Sequence, residues 1–342
     1  MTPAGDLLSG AHPLPERGRV DPATFAAETA GGDEPIVLRG QVAHWPSVAA
    51  ALEGDAAAAR HLARFDTGRP VEVMVGPPTI GGRFFHRDDW QGFNFARQRV
   101  TIGRLVAELL RVAADPTPPA LYAGAVATGD HLPGWSEANP LDLPMEGARA
   151  RVWVGNATRV STHFDESPNL ACVVAGRRRF LLFPPEQLAN LYIGPLDHTM
   201  AGQPASLVDP DAPDLDRFPR FTEAMNSALV AELAPGDAIY MPALWWHHVR
   251  ATAPFNILVN YWSERAGSSP FLALAHALLA VRDLPAPERE RWRTFFDHYV
   301  FGERAAEAAD HLPMPVRGVL GPACRERTER IRRFLSRALS AR

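Results

Sequence analysis

The chain has 342 residues, 46% of them hydrophobic and 22% charged, which supplies apolar material for a large core and excludes global disorder. A formal net charge of -4 excludes a general attraction to nucleic acid or anionic membranes, and two distant cysteines, Cys172 and Cys324, exclude a disulfide framework. The first residues lack a basic head with an apolar run, and no stretch approaches the roughly 18 apolar residues of a membrane span, so a soluble, cytoplasmic protein with no nucleic-acid or membrane partner is expected.

In chain order, Asp21 caps a short helix over 21–30 with Pro22 in its first turn. Residues 35–39 and 70–75 read as strands, and the alanine run at 56–59 sits in a helix. Residues 102–113 have the spacing of an amphipathic helix, with Thr101 as its cap. From about 120 the pattern changes to short β-branched or aromatic runs: LYAGAVA, ARVWVG, NLACVVA, RFLLF, VAEL, AIYMP and ILVNYW. Gly, Pro, Asn or Asp separates most of them, which predicts an all-β barrel or sandwich. After about 266 the chain turns helical. Ser269-Pro270 opens a helix carrying Phe271, Leu274, Leu278 and Val281, and a second carries Trp292, Phe295, Phe296 and Tyr299. The last, over 322–340, sets Ile331, Phe334, Leu335 and Leu339 on one face. The expected division is a main domain over 1–265, with α/β elements to 119 and a barrel core over 120–265, followed by a helical segment over 266–342.

The strongest local feature is Thr162-His163-Phe164-Asp165. Strand side chains alternate faces, so His163 and Asp165 point the same way and can meet one ion. A further His-x-Asp, His86-Arg87-Asp88, sits among charged residues without a strand pattern and is read as a loop group. A third ligand is sought in GDAIYMPALWWHHV, residues 236–249. Alternation lets only one of His247 and His248 face inward, and does not say which. Two histidines and a carboxylate on one side of a metal leave positions open, which suits non-haem Fe(II), whereas structural zinc is closed by four protein ligands.

The stretches HFDESPNLACVVAGRRRFLLFPPEQLANLY, GDAIYMPALWWHHV and NILVNYW, with weaker matches in PIVLRGQVAHWP and GFNFARQRVTIGRLV, resemble the JmjC or cupin-like oxygenases over most of residues 35–265. The similarity is greatest to the factor-inhibiting-HIF-like asparaginyl hydroxylases and their bacterial relatives. The resemblance implies a mainly β fold, a double-stranded β-helix of the cupin or jelly-roll type, holding Fe(II) through His163, Asp165 and His247, with 2-oxoglutarate and dioxygen as cosubstrates. A basic residue that holds the far carboxylate of 2-oxoglutarate matches Arg178, and alternation puts Arg178 on the face opposite Arg177 and Arg179. Tyr122 matches a tyrosine meeting the same carboxylate, Asn169 and Asn260 match asparagines near the cosubstrate, and Trp262 matches an aromatic pocket wall. Trp246 is expected to wall the pocket beside it. The family threonine before the His-x-Asp pair has Thr158, Ser161 or Thr162 as its substitute, with Thr162 taken into the cosubstrate set. The loop after Tyr192 keeps a VD-x-D-x-PD-x-x-RF pattern but lacks the Arg-Gln pair that helps hold peptide substrate in the asparaginyl hydroxylases.

The implied activity is hydroxylation of a protein, peptide or amino-acid-like substrate, ahead of N-demethylation. The rivals are a non-oxygenase metal cupin, such as an isomerase or hydrolase, and a metal-binding sensory protein without turnover. The C-terminal helices either buttress the barrel or form the homodimer interface that the resemblance suggests.

Overall fold

Residues 10–32, 34–263 and 269–340 are described by a computed structural model. The chain forms two units, Met1–Glu264 and Arg265–Arg342. Strands of the first unit are β1 (His12–Pro13), β2 (Glu16–Arg17), β3 (Ile36–Leu38), β4 (Val71–Gly76), β5 (Ala96–Val100), β6 (Ala120–Ala127), β7 (Arg151–Gly155), β8 (Arg159–Phe164), β9 (Asn169–Ala175), β10 (Arg178–Phe183), β11 (Leu229–Leu233), β12 (Ala238–Met241), β13 (Trp246–Ala251) and β14 (Asn256–Trp262).

They form two mixed sheets. One runs β1-β11-β10-β13-β8 and the other β2-β3-β12-β9-β14-β7-β6-β4-β5. Non-sequential neighbours within each sheet give the jelly-roll core that the sequence leads one to expect. Between the sheets lie Phe180, Leu182, Ala231, Leu233 and Val249 of the smaller one and Val37, Ala171, Val173, Ile239, Met241 and Leu258 of the larger one. The outer face of the larger sheet is covered by the helices Pro46–Glu53, Asp55–Ala63 and Ile102–Val112, through Val48, Ala59, Leu62, Leu105 and Leu109. This double coverage explains why β9 is buried at every position and reads as an unbroken apolar run rather than an alternating one. The outer face of the smaller sheet, Leu181, Phe183 and Trp246, is covered by Leu191, Val208, Phe218, Phe221 and Met225 from the connection between β10 and β11.

Local chemistry sets the element ends. Asp21 Oδ1 accepts the N–H groups of Ala23 and Thr24, both at 2.9 Å, and opens the helix Pro22–Thr29. Thr101 Oγ1 accepts Arg104 N–H at 3.2 Å and opens Ile102–Val112, whose buried Ile102, Leu105, Val106, Leu109 and Val112 follow the predicted spacing. Gly176, at φ +74, turns β9 into β10, where a Cβ would run into Phe255 O and the Asn256 side chain.

The second unit carries helices Pro270–Ala280, Ala286–Phe296 and Arg325–Ser340. Ala309 is the one buried hydrophobic residue among its described positions, while Leu279, Phe295, Phe301, Phe334 and Leu339 are all more than half exposed. Cys172 is buried and Cys324 exposed, both unpaired. Among the described residues no helix is long and apolar enough to cross a membrane.

Candidate metal and cosubstrate site

His163 and His247 are register partners on β8 and β13, so their rings meet inside the smaller sheet with centroids 4.3 Å apart. Asp165 follows His163 by two residues and turns the same way. The ligand atoms of His163, Asp165 and His247 all lie within 4.8 Å of one another. His163 Nδ1 lies 2.9 Å from Ser161 O, and His247 Nδ1 lies 3.0 Å from Trp245 O. A carbonyl can only accept, so each Nδ1 carries the proton and each Nε2 keeps its lone pair free for a metal. Asp165 Oδ2 accepts Asn169 Nδ2 at 2.8 Å and Trp262 Nε1 at 2.9 Å, which fixes the carboxylate plane. Asn260 Nδ2 in turn donates to Asn169 Oδ1 at 2.6 Å. Burial pushes the Asp165 carboxyl up, but His247 and His163 outweigh it and hold it below its usual range. Burial, with His247 beside it, lowers the His163 imidazole against the pull of Asp165. The site therefore favours a neutral His163 and an ionised Asp165, the forms that bind a divalent cation. Three donors on one side of a point, with a cavity on the other, fit an open metal centre rather than a closed structural one.

The cavity measures about 450 Å³ and is lined by all three of these residues together with Tyr122, Ser161, Asn169, Arg178, Asn260 and Trp262. Arg178 is 1% exposed, and its Nε and Nη2 have no hydrogen-bond partner. Its neighbour is the Tyr122 hydroxyl, which favours the charged guanidinium. Burial lowers the guanidinium's pKa and raises that of Tyr122, each opposed by the other group. A buried cation with unfilled donors facing a cavity fits an anionic ligand, a carboxylate above all. Arg179 takes the opposite face of β10, as alternation requires, and pairs with Glu232 at 2.9 Å.

Two expected positions fall elsewhere. Between Val160↔Val249 and His163↔His247 strand β8 has one residue more than β13, a β-bulge. Ser161, two residues before His163, shares its face and lines the cavity, its Oγ buried and unpartnered, while Thr162 accepts Ser206 N–H through its carbonyl at 2.8 Å and does not line the cavity. Thr158 does not line it either. Trp246, one residue from His247, faces away from the cavity, edge-on to Phe164 at 5.0 Å. His86 stands apart from the metal set, in an aromatic stack with Trp90, Phe93 and His198.

Trp153 was not legible as a site residue. It lies between Tyr122, at 5.7 Å, and Trp262, at 6.0 Å, with its indole N–H buried and unpartnered. A Cβ at Gly124 would strike its ring, so that glycine on the neighbouring strand makes room for it. A tryptophan opposite a glycine in adjacent runs was the signal available, but it needs the register to be read.

The chain matches the cupin-like domain family over residues 22–268. Among curated proteins it is 27% identical to Jumonji C domain-containing protein 5 of Drosophila melanogaster over 238 residues, 68% of this chain and 55% of that protein. It is 34% identical to the human bifunctional peptidase and (3S)-lysyl hydroxylase JMJD7 over 152 residues, 39% of this chain and 46% of that protein. It is also 34% identical to human HSPB1-associated protein 1 over 122 residues, 34% of this chain and 24% of that protein. The chain thus spans about half or less of the length of these relatives. With the family matched across the barrel and its ligand-bearing strands, the chain belongs to the cupin-like, JmjC-type domain family.

Proposed function

We propose that this protein is an Fe(II)- and 2-oxoglutarate-dependent oxygenase that hydroxylates a protein, peptide or amino-acid-like substrate. One observation carries the reading: Arg178, buried and without a counter-ion, faces the same cavity as the open His163, Asp165 and His247 set. Iron(II), when bound, supplies activation of dioxygen with 2-oxoglutarate as electron donor, giving succinate, carbon dioxide and an oxygenated product. The protein's own residues bind and orient. Arg178 and Tyr122 hold the far carboxylate of 2-oxoglutarate, and the Ser161 hydroxyl is the third polar group available to the cosubstrate. Asn169, Asn260 and Trp262 hold Asp165 in plane. The lysyl hydroxylase named among the relatives supports hydroxylation as the outcome. The loop after Tyr192 presents Met200, Ala201, Gln203 and Ala205 to the cavity in place of an Arg-Gln pair, which argues against an asparagine side chain as the prime substrate. Unpaired Cys172 and Cys324 suit a reducing, cytoplasmic setting.

Anaerobic titration of Fe(II)-loaded protein with 2-oxoglutarate is expected to raise a weak visible charge-transfer band, followed under oxygen by succinate release. No band in folded, metal-loaded protein would return the site to a non-oxygenase metal cupin or a sensory protein.

The second unit leaves Phe295, Phe301, Phe334 and Leu339 exposed, with Ala309 as its one buried hydrophobic among the described residues. We place a homodimer interface there. Light scattering is expected to give a dimer for the full chain and a monomer for a chain ending at Ser263. A full-length monomer at micromolar concentration sinks the interface.

A further inference from the structure

Across the metal-bearing strands runs a row of like charges, with Arg179 and Arg250 away from the cavity and Arg159 at its end reaching the cavity lining. Arg159 on β8 is the register partner of Arg250 on β13, which is the register partner of Arg179 on β10. Like charges directly opposite on neighbouring strands are destabilising. Asp211, on the connection between β10 and β11, lies over this row with its side chain 8% exposed. Its Oδ1 accepts Arg250 Nη1 at 3.0 Å and stands 3.7 Å from Arg179 Nη1. Its Oδ2 is 3.8 Å from Arg159 Nη1 and 3.5 Å from His248 Nε2. Asp209 accepts Arg159 Nη1 at 2.8 Å and, through its other oxygen, the Asp211 N–H at 3.1 Å.

The place where Asp211 acts matters more than the number of its partners. The bulge interrupts the ladder between β8 and β13 just before His163 pairs with His247. Backbone bonds there hold the two strands less firmly. Arg159 lies on the β8 side of the interruption and His248 opposite it on β13, and Asp211 Oδ2 stands within ion-pairing distance of both without a hydrogen bond to either, while Oδ1 holds Arg250. We infer that Asp211 is a positioning residue for the metal centre: it clasps β8 to β13 across the bulge and sets the approach of His163 to His247. The inference rests on reading His163, Asp165 and His247 as a metal site.

The test uses the full chain, Co(II) as a spectroscopic probe, and temperatures well below unfolding. Wild-type protein is expected to bind Co(II) with a defined d–d absorption envelope; failure there overturns the metal reading itself. Asp211→Asn keeps all three ligands, and is expected to bind Co(II) about 10-fold more weakly or worse, within the range for outer-shell groups, with an altered envelope. A merely structural role would lower the melting temperature and leave affinity and envelope as in wild type. The double variant Asp211→Asn/Arg250→Gln relieves the charge excess without restoring the clasp. It is expected to recover melting temperature but not Co(II) affinity, and it serves as the test protein where the single variant does not fold. Recovery of wild-type Co(II) binding in the double variant overturns the clasp. If neither variant folds, Asp211 is a folding determinant and the positioning role is withdrawn.

Discussion

His163→Gln is expected to lose metal binding by more than the roughly 10- to 100-fold that outer-shell changes cost, because it removes one of three ligands whose donor atoms stand within 4.8 Å of each other. Glutamine keeps a polar side chain of similar reach, so the barrel is expected to fold. The same substitution carries a second signature in the metal-free protein. The His163 imidazole is held below its ordinary value by burial and by His247. In the unfolded chain it takes up a proton below about pH 6.5, while in the fold it stays neutral to lower pH. The unfolded state then binds more protons, so stability is whole above about pH 6.5 and is lost progressively as pH falls towards the depressed folded value. Denaturation of metal-free protein at neutral and mildly acidic pH should show this loss in wild type and a shallower one in His163→Gln. Asp165 does not confound the window, since a lowered carboxyl loses its contribution only below about pH 4. Equal slopes in the two proteins would mean that His163 is not the buried neutral group drawn here.

How much of this was legible in the sequence depended on whether the feature lay along one strand or between several. Apolar periodicity and caps located Ile102–Val112 and Pro22–Thr29 to within a residue or two. The barrel strands followed from their β-branched runs, including β9, whose lack of alternation reflects cover on both faces. Alternation also predicted that Arg178 and Arg179 would part company, and they do. It left His247 and His248 undecided, and the register with His163 places His247 on the cavity side. The resemblance left the hydroxyl before His163 open among Thr158, Ser161 and Thr162, and alternation from His163 favours Ser161, two residues earlier, which is the one that lines the cavity. Alternation should have warned against Trp246, which is adjacent to His247 and so must face the other way. Strand β5 gave little signal because Ala96, Arg97, Gln98 and Arg99 are exposed at the edge of the larger sheet. The arginine row was invisible because Arg159, Arg179 and Arg250 meet only through pairing across three strands.

Arg178→Met is expected to move stability and ligand binding in opposite directions. The guanidinium is 1% exposed, and two of its nitrogens lack partners. Arginine does not shed its proton in proteins, so the cost of its burial stays in the folded state. Methionine fills a similar volume without a charge. Replacing buried ionic groups by apolar ones of similar volume is often stabilising by about 1–4 kcal/mol, so the metal-free variant should melt above wild type. The affinity for 2-oxoglutarate should meanwhile fall roughly 10²- to 10³-fold, since a carboxylate brought into that cavity would lie desolvated without its cation. Fe(II) binding alone should change little, because Arg178 touches none of the three ligands. Arg178→Lys keeps the charge but loses the two-pronged geometry, and should fall between the two. Calorimetry with 2-oxoglutarate on the metal-loaded proteins, beside thermal melts without it, measures both halves. A variant that melts lower yet binds 2-oxoglutarate as wild type does would mean that Arg178 is a structural cation with a partner inside the fold. A variant that melts higher and no longer binds shows a cavity that holds an unpaired charge in readiness for its ligand, with part of the folding free energy given up to keep it there.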